Sequence, residues 1–147
     1  NYYFPLLTAE QAYHARYDAA GQLIPGQVAL ARHWCERGLE LNPYRTELRQ
    51  LRTRLLELES PEAALAYWRE CLDWAYWDPY NHAVMVELYC RVGRFEEALE
   101  HLRLIKGMDY YDYASRVYRD ALLADMRTGP VSAADRPLEL RPTRPRR

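Results

Sequence analysis

A motif that returns about every 35 residues restricts this chain to one kind of architecture. The stretch Leu30-Ala31 through Asn42-Pro43-Tyr44 returns as Leu65-Ala66 through Asp78-Pro79-Tyr80. The offset is 35 at Leu30/Leu65 and 36 at Pro43/Pro79. A third copy, Phe95-Glu96-Glu97-Ala98-Leu99, lies 34 residues after Pro61-Glu62-Ala63-Ala64-Leu65. A period of this size marks stacked helix pairs, each too small to bury its apolar face alone. The expected fold is all-α, with no segment patterned as a strand.

Helix boundaries follow from local signals. Residues 1–7 read as an extended lead-in, and Thr8 with Gln11 reads as a capping box opening a first helix to about Ala20. Gly21 ends that helix and a loop, Gln22 to Gly26, follows. A second helix runs to Leu41, where Asn42-Pro43 stops it, because a residue before proline is pushed out of helical geometry. The third carries Leu48, Leu51, Leu55 and Leu58 on one stripe. Ser60 and Pro61 read as the N-cap and first residue of the fourth, which runs to Trp77. The fifth runs from Tyr80 to Val92, the sixth from Arg94 to about Lys106, and the seventh from Tyr110 to Arg127. The structured domain is thus 8–127, and 128–147, rich in Pro and Arg, reads as a disordered tail.

Composition narrows the functions. The net charge is −1, and residues 128–147 hold five Arg against Asp135 and Glu139, a net +3 that leaves −4 for the rest. An acidic body argues against nucleic acid or an anionic membrane as the partner. The three cysteines, Cys35, Cys71 and Cys90, lack C-x-x-C spacing and read as buried small apolar groups. His14, His33, His82 and His101 are scattered without metal-ligand spacing, so no metal or other cofactor is expected. Neither a nucleophile elbow nor a phosphate loop is present, and no catalytic residue is assigned.

These repeats resemble the tetratricopeptide repeat, over about Thr8 to Arg127. The strongest match is Leu88-Tyr89-Cys90-Arg91-Val92-Gly93-Arg94-Phe95-Glu96-Glu97-Ala98-Leu99, where Tyr89, Gly93, Phe95 and Ala98 hold the family's places. Leu39-Glu40-Leu41-Asn42-Pro43 is similar to the family's close of a second helix. The departures are a long first inter-helix loop, Ser60-Pro61 in place of the second turn glycine, and Gly107-Met108-Asp109 in place of a final proline. The resemblance implies a right-handed α-solenoid of about three helix pairs plus a final capping helix. It also implies that the first helix of each pair lines a concave groove.

Candidate groove residues follow. Tyr13, Arg16 and Tyr17 lie on the first helix, and Arg45, Arg49 and Arg52 form a stripe on the third. Tyr80, Glu87 and Arg91 lie on the fifth, and Tyr113 and Arg116 on the seventh. Arg forks bind carboxylates and Tyr adds apolar contact, so an acidic protein or peptide is the expected partner, with self-association as a second possibility. The bland alternative is a solvated Arg face paired with Glu47, Glu57 or Glu59. The family's carboxylate clamp of Lys and Asn is missing, since Thr46, Arg49, Thr53, Ala83 and Glu87 stand around those places.

The Leu39-Glu40-Leu41-Asn42-Pro43-Tyr44 stretch behind a short Tyr-rich, Ala-rich helix also resembles the soluble C-terminal lobes of bacterial O-antigen ligase or polymerase-like membrane proteins. It implies a periplasmic lobe whose catalytic part lies upstream of Asn1. A free-standing interaction scaffold would instead be cytoplasmic. The chain starts at Asn1 rather than Met, which reads as a processed product or a piece of a longer protein, and no apolar run here is long enough to span a bilayer.

Overall fold

A computed structural model describes residues 3–135, with side chains through Thr128, and every regular element among them is a helix. The order is α1 Tyr3–His14, α2 Pro25–Leu41, α3 Thr46–Glu57, α4 Pro61–Leu72, α5 Pro79–Arg91, α6 Phe95–Leu104 and α7 Tyr111–Asp135. The expected all-α class is what the chain adopts. Two compact units divide it, Asn1–Ala64 and Leu65–Arg147, with the boundary inside α4.

From Tyr3 onward the expected extended lead-in is helical. Pro5 lies in the first turn of α1, where backbone N–H groups lack intrahelical partners in any case. Helix formation there seats Pro5 and Leu6 in the interior. Thr8 is consequently mid-helix, and its hydroxyl donates to the Phe4 carbonyl at 2.9 Å instead of capping.

At its other end α1 stops at His14, well short of Ala20. Asp18 takes over the chain there. Its carboxylate accepts from the Ala20 and Gln22 amides, both at 2.9 Å, which folds a side-chain-mediated turn. Gly21 sits at φ +77, and Tyr17 pairs with Leu23 in an isolated antiparallel bridge. The connection from α1 to α2 is thus a small hairpin.

The expected start at Pro61 holds, and two further prolines, Pro25 and Pro79, expected in a loop and at a helix stop, also open helices. Ser60 caps α4 by accepting from the Ala63 amide at 3.2 Å, and Asp78 caps α5 by accepting from the Tyr80 amide at 2.9 Å. However, α4 ends at Leu72 rather than Trp77, leaving Asp73 to Asp78 as a connection. Nor do Thr128-Gly129-Pro130 end α7, which continues to Asp135. The Thr128 hydroxyl donates to the Ala124 and Asp125 carbonyls. The rest of the expected tail, residues 136–147, lies outside the described residues.

In the first unit, Leu6, Ala9 and Ala12 of α1 meet Ala31 and Cys35 of α2 and Leu48, Leu51 and Leu55 of α3. The α3 leucines are the stripe read from the sequence, and Leu58 packs against its edge. Small residues on α2 allow close approach. The Cys35 thiol donates to the Leu48 carbonyl at 3.3 Å, and a Cβ built on Gly38 would stand 2.8 Å from Leu48 Cδ2.

In the second unit α5 is the centre. Asn81 to Val86 and Leu88 to Cys90 are all buried, so no face of its middle is open. Trp68 of α4 lies against its start, with the indole N–H donating to the Asn81 carbonyl at 3.1 Å. On other sides lie α6, through Phe95, Ala98 and Leu102, and α7, through Ala114. The turn from α5 to α6 is a Schellman close: the Arg94 amide donates to the Tyr89 carbonyl and the Gly93 amide to Cys90, with Gly93 at φ +77. Tyr110, before α7, is a non-glycine residue at φ 67, and its ring stands edge-on to Tyr80 at 5.1 Å.

Two glycines of α2 make a matched test. Gly38→Ala forces a methyl against the fully buried Leu48, an overpacking cost of about 1–3 kcal/mol that exceeds the helix-propensity gain. Gly26→Ala meets open space and gains up to about 1 kcal/mol of helix propensity. Thermal unfolding followed by circular dichroism should place Gly38→Ala below the parent and Gly26→Ala at or above it. The reverse order would show that Leu48 has room to move.

Candidate functional site

The expected groove residues fall in both units, and each unit uses them differently. In the first unit Tyr13, Arg16 and Tyr17 do come together, though not on one helix face. The chain leaves α1 at His14, and Arg16 folds back so that its guanidinium lies 3.8 Å from the Tyr13 ring centroid and 4.8 Å from that of Tyr17. Its Nη1 donates to the Tyr13 carbonyl at 2.9 Å. A guanidinium held against two phenol faces is a cation–π arrangement, and the Arg plane is fixed by it. Burial raises the Tyr13 hydroxyl above its ordinary range, while Tyr17 stays exposed.

The Arg stripe of α3 is engaged locally. Arg45 pairs with Glu47 at 2.7 Å, and Arg52 with Glu36 of α2 at 3.7 Å. Arg49 Nε donates to the Pro43 carbonyl at 2.7 Å, and its guanidinium lies 6.0 Å from the exposed Tyr44 ring. Neighbouring pairs are Arg54–Glu57 at 2.6 Å and Arg32–Glu59 at 2.7 Å. All three glutamates named as partners of a solvated Arg face are therefore ion-paired. The solvent-exposed members, such as Arg45–Glu47 and Arg32–Glu59, contribute little to stability.

Between α2 and α3 these pairs border a cleft of about 240 Å³. Arg32 and Glu59 close one part of it, Arg52 and Glu36 another, and Cys35 and Leu55 line the interior. Burial pushes the Cys35 thiol up to about 12, with Arg52 opposing and Glu36 adding to the effect. The same desolvation, with Glu87 nearby, takes Cys90 to about 12. Thiols in such surroundings stay protonated and are poor nucleophiles.

In the second unit Tyr80 is a packing residue, edge-on to Trp68 at 6.5 Å and to Tyr110 at 5.1 Å. Glu87 is only 13% exposed and accepts from Arg91 at 3.3 Å one helical turn on. Tyr113 and Arg116 are exposed on α7. The fifth helix thus offers an open surface mainly through Arg91.

A polar cluster unforeseen in the sequence occupies the second unit. His82, 3% exposed, places Nδ1 at 3.0 Å from Nδ1 of His101 and Nε2 at 2.6 Å from the Tyr76 carbonyl. A carbonyl only accepts, so His82 carries its proton on Nε2. Its Nδ1 then accepts, and His101 donates from its own Nδ1. Tyr89 stacks on His101 with 5.6 Å between centroids and 24° between planes. Arg69 donates to the Tyr89 hydroxyl at 2.7 Å, and both Arg69 and Arg94 lie over the Tyr89 ring, at 5.7 and 5.0 Å. Burial, then His82, then Arg69 lower His101 to about 4, so it is neutral at ordinary pH.

The signal for this cluster was faint but real. His82 lies 11 residues before Gly93 and His101 lies 8 after it, so an antiparallel helix pair turning there brings them within about a turn of each other. Among the described residues, no group of three or more His, Cys, Asp or Glu is placed to hold a metal ion. No protein-family profile, curated protein or solved structure matches the chain.

The thiol environments give a direct check. All three cysteines are buried thiols outside any disulfide. At pH 8 the native chain should leave Ellman's reagent nearly unreacted, and three equivalents should react once denaturant is added. Rapid reaction of one thiol in the native chain would place that cysteine at an open surface.

Proposed function

We propose that this chain is a non-catalytic interaction module of tetratricopeptide type. In this reading three helix pairs and a final helix form a right-handed solenoid that binds an acidic protein or peptide. The observation that carries the reading is the α5–Gly93–α6 hairpin. There Tyr89, Phe95 and Ala98 are buried at the helix contact and Gly93 takes the left-handed turn, as the resemblance requires. A helix pair closed in this way leaves apolar edges that neighbouring pairs cover.

For the binding chemistry, the support lies in the guanidinium and phenol groups at the surface. Arg16 is clamped by Tyr13 and Tyr17, and Arg49 lies near the exposed Tyr44. Ordered Arg side chains beside Tyr rings offer donors for carboxylates with little entropy left to lose. Arg91 adds a half-exposed guanidinium on the second unit.

The test is fluorescence anisotropy with a labelled peptide rich in Asp and Glu, against a neutral peptide of equal length. The acidic peptide should bind selectively and weaken as salt is raised. Arg49→Glu with Arg91→Glu should reduce affinity at least about tenfold, a loss of about 1.4 kcal/mol, while helical circular dichroism is retained. Equal binding of the two peptides, or an unaffected double variant, would overturn the acidic-partner reading.

A further inference from the structure

The α4–α5 connection, Asp73 to Asp78, carries three large aromatics toward solvent: Trp74, Tyr76 and Trp77 are 48%, 54% and 78% exposed. Their backbone is held from the interior. The Ala75 carbonyl accepts from Asn81 Nδ2 at 2.9 Å and from the Asp78 amide at 3.1 Å, and the Tyr76 carbonyl accepts from His82 Nε2 at 2.6 Å. A turn fixed in this way presents its rings with little backbone entropy left to lose. Carboxylates accompany the rings. Glu70 and Asp73 are exposed, Asp78 is half-buried, and residues 70–80 contain no Lys or Arg. The neighbouring Arg69 is turned to α5, bonded to the Tyr89 hydroxyl at 2.7 Å. Exposed aromatics beside carboxylates form a surface for a ligand that combines apolar rings with positive charge.

The chain carries that ligand chemistry in its own sequence. Residues 141–147, Arg-Pro-Thr-Arg-Pro-Arg-Arg, hold four Arg, two Pro and no acidic residue, a net +4 within a chain total of −1. They lie outside the described residues. Pro142 and Pro145 have the P-x-x-P spacing that docks on aromatic-lined surfaces. Guanidinium groups stack on Trp and Tyr faces and fork onto carboxylates.

We propose that the Arg-Pro segment 141–147 of one copy docks on the aromatic, acidic Trp74–Trp77 turn of a second copy. Reach decides which molecule supplies the segment. Just before α7, Tyr110 lies 5.1 Å from Tyr80 at the start of α5, beside the turn. Further along α7, Tyr118 lies by Phe95 and Cys90, at the other end of α5. The helix therefore runs away from the turn, and its 25 residues span about 37 Å. Arg141 is six residues past Asp135, within about 22 Å of it at full extension. The segment's start falls short of its own turn, so the whole of it is seated only on another molecule. The contact joins unlike surfaces and repeats from copy to copy unless symmetry closes it. It leaves the surface of Arg16, Arg49 and Arg91 untouched.

The experiment is sedimentation velocity on the full chain from about 1 µM to 1 mM. Mass should rise with concentration, and the association should weaken as salt is raised. Trp74→Ala with Trp77→Ala, and separately Arg141→Glu with Arg144→Glu, should each weaken it at least about tenfold. Each variant keeps the half of the contact that the other lacks, so mixing them should give a one-to-one complex that neither forms alone. The docking is refuted if the full chain stays monomeric throughout, if either variant assembles like the parent, or if the mixed variants stay apart. A monomer whose Trp emission responds to Arg141→Glu with Arg144→Glu would mean docking within one chain, which also overturns the second copy as occupant. Should the Trp variant lose helical circular dichroism, Glu70→Lys with Asp73→Lys supplies the turn arm in its place.

Discussion

A helix with no open side has no water for its polar groups, and α5 is in that position through most of its length. Every polar side chain on its buried stretch must then find a partner inside the protein, because an unpaired buried group costs about 1–3 kcal/mol. Asn81 and His82 are buried, and both are satisfied by carbonyls of the preceding connection. The Asn81 carbonyl is used in turn by Trp68. That accounting fixes the α4–α5 connection, the seat of Trp68 and the pairing of His82 with His101. The second unit is ordered around these bonds as much as around its apolar contacts.

The first unit meets a different demand. Its three helices close on small residues, Ala9, Ala12, Ala31, Cys35 and Gly38, so the core is thin and the helices lie near one another. Thr53 is buried there as well, but it satisfies its hydroxyl on the Arg49 carbonyl of its own helix. Charges are kept to the rims, as neighbouring Arg–Glu pairs. The ion pairs that join its helices, Arg32–Glu59 and Arg52–Glu36, lie at that partly exposed rim, whereas in the second unit Asn81 and His82 link elements from buried positions.

This contrast explains what could be read from the chain. Short-range rules placed the start of α4, because Ser60 and Pro61 act through local backbone geometry, whereas Pro25 and Pro79, read as loop and stop, each open a helix. The α3 leucine stripe was also legible locally. Errors came where tertiary seating overrode a local sign. Thr8 has the spacing of a cap but sits mid-helix because Pro5 and Leu6 are wanted in the core. Tyr13 and Tyr17 have helical spacing, yet Asp18 bends the chain before that spacing can act. For the candidate surface, residue types were legible and roles were not. Tyr80 and Glu87 look like groove residues by position, but the neighbours of α5 enclose them. The His82–His101 contact needed the hairpin geometry first, since nothing within a short window of either histidine marks it.

Tyr110 ties two distant positions into one constraint. A bulky residue at φ 67 is strained by roughly 1–3 kcal/mol, and a glycine would hold that backbone without strain. What a glycine cannot do is offer a ring to Tyr80, whose opposite neighbour is Trp68. The aromatic at 110 therefore sets a ring contact against the strain of its own backbone. The dependence is one-sided: without the ring at 80, Tyr110 keeps its backbone strain and loses that contact, whereas Tyr80 without the ring at 110 still meets Trp68.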